Sequence, residues 1–300
     1  MKYLSTVLIV AFFSKLSSVN GQTAIWTKAD SLLFYSDAML TCTVPKFREA
    51  AAEKFKPLLL EYLNAVKPSD DNLNFENRIA VIQPSNQAFT LYSWQYQSQE
   101  NEWKYEAVIR WSSGRINELT REIRDYNRIR MEVFGESNWY GAMYYFILPI
   151  LENTKNEYTL FGFAQDQQDY KYKIIETITV EDEKLTFGKP IYRISDDQGG
   201  TDKFFRQVIP YSKESNCVVE FNEAENEIQY DHIATITDNF TPANKILKIP
   251  DGSYESLSWT GTYWKHDPHL KIEPLNQAPR TKPVLGNDNK DILGRDLKKK

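Results

Sequence analysis

Three histidines limit imidazole chemistry in this chain to few places. Asp231-His232 has the composition of half a catalytic dyad. His232 also shares strand parity with Ile228 and Tyr230, the pattern of a packed, hydrogen-bonded core histidine. His266-Asp267-Pro268-His269 offers two imidazoles and a carboxylate, proper ligand types for zinc. The spacing points elsewhere: Pro268 disfavours helix at Asp267 and marks a turn, so His266 and His269 are weak metal candidates and no metal or other cofactor is expected. Nucleophile elbows, phosphate loops, His-Glu-x-x-His pairs and zinc-ribbon cysteine pairs are absent from the sequence. A glycosidase pair of carboxylates need not be close in sequence, and 41 acidic side chains single out none. No catalytic set is assigned.

Aromatic side chains suggest a different chemistry. Trp94, Trp103, Trp111, Trp139, Trp259 and Trp264 fall on or near strand-like segments. Of these, Trp94, Trp111, Trp259 and Trp264 are the candidates for stacking on a carbohydrate ligand. The competing reading is that strand aromatics fill β cores.

The elements that would position these residues follow from periodicity. Leu32, Tyr35, Met39 and Leu40 keep helical spacing, as do Phe47, Ala51, Phe55, Leu58 and Tyr62, with Pro57 expected to kink the second helix or start a new one. From Arg78 the period becomes two: Phe89, Leu91 and Ser93 oppose Thr90, Tyr92 and Trp94. Asn117 to Arg130 is expected to hold a short helix through Leu119, Ile123 and Tyr126. Trp139 to Leu148, apolar on both faces, is expected to be a central strand. Short strands with turn signals then continue to Ile272. The expected fold is mainly β with an N-terminal helical segment, an antiparallel meander forming a rolled sheet, a sandwich or a small propeller-like body.

The first residues read as a signal peptide: Lys2, an apolar run Thr6 to Phe13, and a small-residue stretch ending at Gly21. The expected division is 1–21 signal peptide, 22–70 helical segment, 78–275 β-rich domain packed with it, and 276–300 a disordered tail. The destination is the periplasm or the extracellular space, with outer-membrane association open. No transmembrane segment is expected in the mature chain. The 36 basic side chains fall to 34 once Lys2 and Lys15 leave with the signal, against 41 acidic ones. That balance argues against a nucleic-acid partner. Export permits a disulfide between Cys42 and Cys217, and spacing alone leaves it open.

Five motifs occur in order: W-Y-G-A-M-Y-Y at Trp139 to Tyr145, Y-T-L-F-G-F at Tyr158 to Phe163, K-I-I-E-T-I-T at Lys173 to Thr179, F-G-K-P-I-Y at Phe187 to Tyr192, and Y-D-H at Tyr230 to His232. In this order the chain resembles a family of exported Bacteroidetes proteins of unknown function, from about Asp30 to His266. The resemblance implies a secreted or periplasmic β-rich domain and no assigned catalytic residue. The chain departs from it at Phe163-Ala164-Gln165-Asp166, where the family pattern reads Trp-Asp-Gly-Asn. The functional expectation is a non-catalytic binding or accessory module at the cell envelope, its partner a carbohydrate or an envelope protein. The alternative is a secreted glycosidase-like hydrolase of an envelope or dietary polymer.

Overall fold

The computed structural model describes residues 27–270, apart from 72, 77, 101, 151–155, 167–168, 196–199 and 239–244. The signal-peptide and tail expectations lie outside these residues. No helix among them is long and apolar enough to cross a membrane.

Helix α1 (Lys28–Thr41) begins at Thr27, whose hydroxyl accepts from the Asp30 amide while the Asp30 carboxylate accepts from the Thr27 amide. This reciprocal cap satisfies two amides that a helix start otherwise leaves unbonded. Helix α2 (Pro45–Ala65) starts on Pro45, where a missing amide hydrogen costs nothing. It runs through Pro57 as one element, so no new helix starts there. Pro57 and Glu53 both lie on the exposed side, so the carbonyl left unbonded one turn earlier is open to water. The opposite stripe of Ala51, Ala52, Phe55, Leu59 and Leu63 is buried.

The first sheet is an antiparallel meander of β1 (Ala80–Ile82), β2 (Phe89–Gln97), β3 (Trp103–Trp111) and β4 (Ile116–Leu119). Strand alternation divides it. Tyr92, Trp94 and Val108 pack under the helices with Phe55, whereas Phe89, Leu91, Ala107, Ile109 and Trp111 face the next sheet. That second sheet contains β5 (Phe134–Gly135), β6 (Met143–Pro149), β7 (Glu157–Gln165), β8 (Tyr170–Glu181) and β9 (Lys184–Phe187), in the order β5-β9-β8-β7-β6. The third is ordered β11 (Thr201–Phe204), β10 (Tyr192–Ser195), β16 (Trp264–Asp267), β15 (Lys245–Trp259), β14 (Glu227–Asp238) and β13 (Val219–Asn222). Strand β12 (Arg206–Ser212) pairs with the first half of β8, so Lys171 to Glu176 have a strand on both sides. The ladders are antiparallel except for a two-residue parallel pairing of β10 with β16.

Three apolar layers hold this stack together: helices on sheet one, sheet one on sheet two, and sheet two on sheet three. The body is therefore a layered, mainly β fold. The strands of the described residues form no closed barrel.

Two local expectations are corrected. Asn117 to Arg130 holds no α-helix; it is β4 followed by extended chain and a 3-10 turn at Ile129–Met131. The Thr120 amide bonds the Glu136 carbonyl and the Glu122 amide bonds the Trp139 carbonyl, so this segment lies along residues 136–139, leaving Ile123 73% exposed. Trp139 to Leu148 supplies the outermost strand of its sheet, not a central one. It is apolar on both faces because it lies between two core layers, and strand alternation turns Tyr144 to one and Tyr145 to the other.

Candidate functional site

The tryptophans expected to stack on a ligand are mostly core. Trp94 is 0% exposed, and Trp111 and Trp264 are each 2% exposed. Each stands on the inward parity of its strand. Trp259 is partly buried, its ring 5.2 Å from that of Trp264. None of these four forms an open stacking face.

The histidines diverge. His266 is buried, its ring parallel to that of Tyr230. Its Nδ1 accepts from the Ser195 amide at 3.1 Å and its Nε2 lies 2.7 Å from Glu255 Oε2. An amide can only donate, so the ring hydrogen sits on Nε2 and both nitrogens are committed. His269 is exposed on an Asx turn closed by Asp267. No group of three or more His, Cys, Asp or Glu among the described residues is placed to hold a metal ion. His232 stands at the bulge between β14 and β15, partly exposed rather than in the core, with Nδ1 2.9 Å from Asp251. Asp231 instead accepts from the Val218 amide, so Asp231-His232 is not a dyad. The thiols of Cys42 and Cys217 are both free.

The motifs converge on something else. Glu176 and Arg206 form an ion pair at 2.9 Å with neither side chain exposed. The hydroxyls of Tyr140 and Tyr144 both donate to Glu176 Oε1 at 2.5 Å, and Trp139 Nε1 donates to the Tyr144 hydroxyl. Arg206 also donates to the carbonyls of Ile129, Glu132 and Phe187. Burial first, then the Glu176 charge, pushes both phenols well above their ordinary range. Gly188, at φ +96°, leaves room for the guanidinium: a Cβ there would sit 2.5 Å from Arg206 Nη2. The Glu176 and Arg206 side chains are fully buried and no residue of the network lines either of the two clefts described among these residues, so its bonds are spent within the fold.

An open cleft of about 410 Å³ lies where the start of β3, the chain after β4 and the β7–β8 turn meet. Its floor is Tyr126 on Tyr172, stacked with centroids 4.8 Å apart, both nearly buried. The Tyr126 hydroxyl donates to the Gly141 carbonyl and the Tyr172 hydroxyl to Asp166 Oδ2, each at 2.7 Å. Burial pushes the Tyr126 phenol up to about 12, and burial followed by Asp166 raises that of Tyr172. One wall is Arg121, its guanidinium 4.8 Å above the Tyr105 ring and donating to the Trp103 carbonyl. Gly141 at φ +93° makes this possible, since a Cβ would lie 2.7 Å from Arg121 Nε. Asp166 fixes the β7–β8 turn by accepting from the Tyr170 amide. Partly exposed Trp103, Tyr170, Gln165 and Asp166 line the cleft, with the exposed Asp125 and Asn127 at its rim.

Sequence reasoning named Trp103 among the strand-like tryptophans and Asp166 in the departure from the family pattern, but placed neither in a site. Tyr126 was expected on a helix, and Tyr170 and Tyr172 were not singled out. The signal that marks them is position: all flank the turn around Asp166 or the polar stretch after β4. Compared with known proteins, the chain matches no family model, no curated protein and no solved structure.

Proposed function

We propose that the protein is an exported, non-catalytic module that binds carbohydrate in the cleft around Tyr126, Tyr172 and Asp166. The observation that supports it is the combination, in one recess, of aromatic rings with planar polar groups. Sugar rings present apolar C–H faces that pack on aromatic faces, and equatorial hydroxyls that bond pairwise to carboxylates, amides and guanidinium groups. Trp103 and Tyr170 supply partly exposed rings; Asp125, Asn127, Gln165 and Asp166 supply the planar polar groups. The volume falls within the roughly 300–1,000 Å³ usual for small-ligand sites. Export rests on the charged, apolar and small-residue order of the first 21 residues.

Calorimetric titration against a panel of neutral and acidic oligosaccharides tests this reading. At least one saccharide is expected to bind, with Trp103→Ala and Tyr170→Ala weakening it about tenfold while the melting temperature holds. Absence of binding across the panel overturns it. The alternative, a hydrolase, draws on the three carboxylates of the same cleft, Glu102, Asp125 and Asp166. Reducing-sugar release that disappears in Asp125→Asn or Asp166→Asn would replace binding by hydrolysis.

A further inference from the structure

Ile123 is the most exposed large apolar side chain among the described residues, at 73%, and it lines the cleft around Tyr126 and Tyr172. Backbone bonds, not its own packing, put it there. The Thr120 amide on the Glu136 carbonyl and the Glu122 amide on the Trp139 carbonyl hold the chain extended, with Arg121 bridged to Trp139. Three residues on, Tyr126 turns inward and stacks on Tyr172 to form the floor of the cleft. An isoleucine left in water forgoes the burial its side chain normally gains. A single exposed apolar residue needs no explanation on a plain surface. This one borders a recess that already holds two partly exposed rings, Trp103 and Tyr170.

A hydrogen-bond acceptor stands on the same stretch. Asp125 Oδ1 accepts from the Asn127 amide at 2.9 Å and from Asn127 Nδ2 at 3.0 Å. With Nδ2 committed to Asp125, the side-chain oxygen occupies the other arm of the Asn127 amide, and the side chain is exposed at the cleft rim. One short segment therefore offers the cleft an apolar contact at Ile123 and an acceptor at Asn127. A plain sugar hydroxyl matches the acceptor and leaves the isoleucine in water. An O-acetyl ester brings a methyl group and no hydrogen to donate. An acetamido group brings both, and in a trans amide its N–H lies on the same edge as its methyl, so one wall is able to hold the two together.

We infer that the saccharide taken up here is an N-acetylated amino sugar, with its acetyl methyl on Ile123 and its amide N–H on the Asn127 side-chain oxygen. This rests on the carbohydrate reading of the cleft and narrows it to one substituent. Trp103 and Tyr170 serve any sugar ring, whereas Ile123 and Asn127 select among sugars. Burial of one methyl group and one added hydrogen bond together correspond to an affinity gain of about tenfold.

Calorimetric titration of the full chain with two matched pairs tests it: N,N′-diacetylchitobiose against cellobiose, and N-acetyllactosamine against lactose. The members of each pair differ only in the acetamido group or hydroxyl at C2. In at least one pair the acetamido sugar is expected to bind about tenfold more tightly. Ile123→Ser changes a side chain already in water, so the melting temperature should hold while the acetamido advantage falls to about threefold or less. Asn127→Ala should lower the same ratio. Equal affinities within both pairs, binding confined to sugars without an acetamido group, or an advantage that survives Ile123→Ser each overturns the assignment and leaves the carbohydrate reading standing. Absence of binding to these four sugars and to the wider saccharide panel overturns the carbohydrate reading, and this assignment with it.

Discussion

Glu176 Oε2 lies 2.9 Å from Arg206 Nε, and neither side chain has any surface in contact with water. A charge pair so enclosed is held by its remaining bonds: two tyrosine hydroxyls on one partner and three backbone carbonyls on the other. These ties connect β8, β12, the end of β9 and the chain before β5 and β6.

Removing one partner leaves the other charged and buried, which typically costs about 3–5 kcal/mol. Arg206→Met and Glu176→Leu should each lower the free energy of unfolding by that amount, and the urea midpoint with it. The double variant should be more stable than either single one, because apolar replacement of both charges removes the desolvation penalty with them. Equilibrium urea unfolding of the three variants measures this. Additive losses would show that the pair is not energetically coupled.

Gly188 admits a comparison that separates backbone conformation from close contact. It has φ +96° and a hypothetical Cβ 2.5 Å from Arg206 Nη2, whereas Gly252 has φ +89° and nothing within 4 Å. Gly252→Ala should cost only the left-handed backbone penalty, about 1–2 kcal/mol. Gly188→Ala adds displacement of a buried guanidinium and should cost about 2–5 kcal/mol in all. Thermal or urea unfolding of the two variants gives the difference directly.

The alternation of Phe89, Leu91 and Ser93 against Thr90, Tyr92 and Trp94 made the β body legible, because one face of a strand meets one core layer. Three of the five motifs share one physical reason in the fold. Tyr140 and Tyr144 come from the first, Glu176 from the third and Gly188 from the fourth, and all serve the Glu176–Arg206 network. Arg206 itself carried no signal, since its burial depends on strands distant in sequence. Asn117 to Arg130 was misread because its apolar residues happen to fall at helical spacing, while the Glu136 and Trp139 carbonyls hold it extended. Trp139 to Leu148 looked central because a layered stack buries both faces of an edge strand. The cleft was hidden for a similar reason: its residues come from three separated segments.

Asp251 ties the β14–β15 bulge to pH. The Ser253 hydroxyl and amide hold its carboxyl down to about 2, with His232 adding to the effect. A carboxyl whose folded pKa is depressed contributes stability that is fully present above its unfolded value near 3.8. That contribution fades as pH falls through about 2. Between pH 5 and pH 2, wild type should therefore lose more stability than Ser253→Ala, in which the largest cause of the depression is gone. Urea midpoints at pH 5, 3 and 2 test the sign, and equal losses in the two proteins would refute it.

Trp94 and Trp103 bound the same sheet but should fail differently. Trp94 is fully buried, edge-on to Phe55 at 5.1 Å beneath the helices. Truncating a core tryptophan typically costs about 3–5 kcal/mol, so Trp94→Ala should unfold at markedly lower urea. At temperatures where it remains folded, its saccharide affinity should match wild type, because Trp94 does not line the cleft. Trp103 begins β3, is partly exposed and lines the cleft beside Tyr170. Its replacement by alanine should cost less stability, and the affinity loss should be about tenfold, in the range of one lost aromatic contact at roughly 1–1.5 kcal/mol. Measuring both quantities for both variants crosses the two effects. If Trp103→Ala lowers stability as much as Trp94→Ala and leaves binding intact, Trp103 is a core residue and the cleft is not where the saccharide sits.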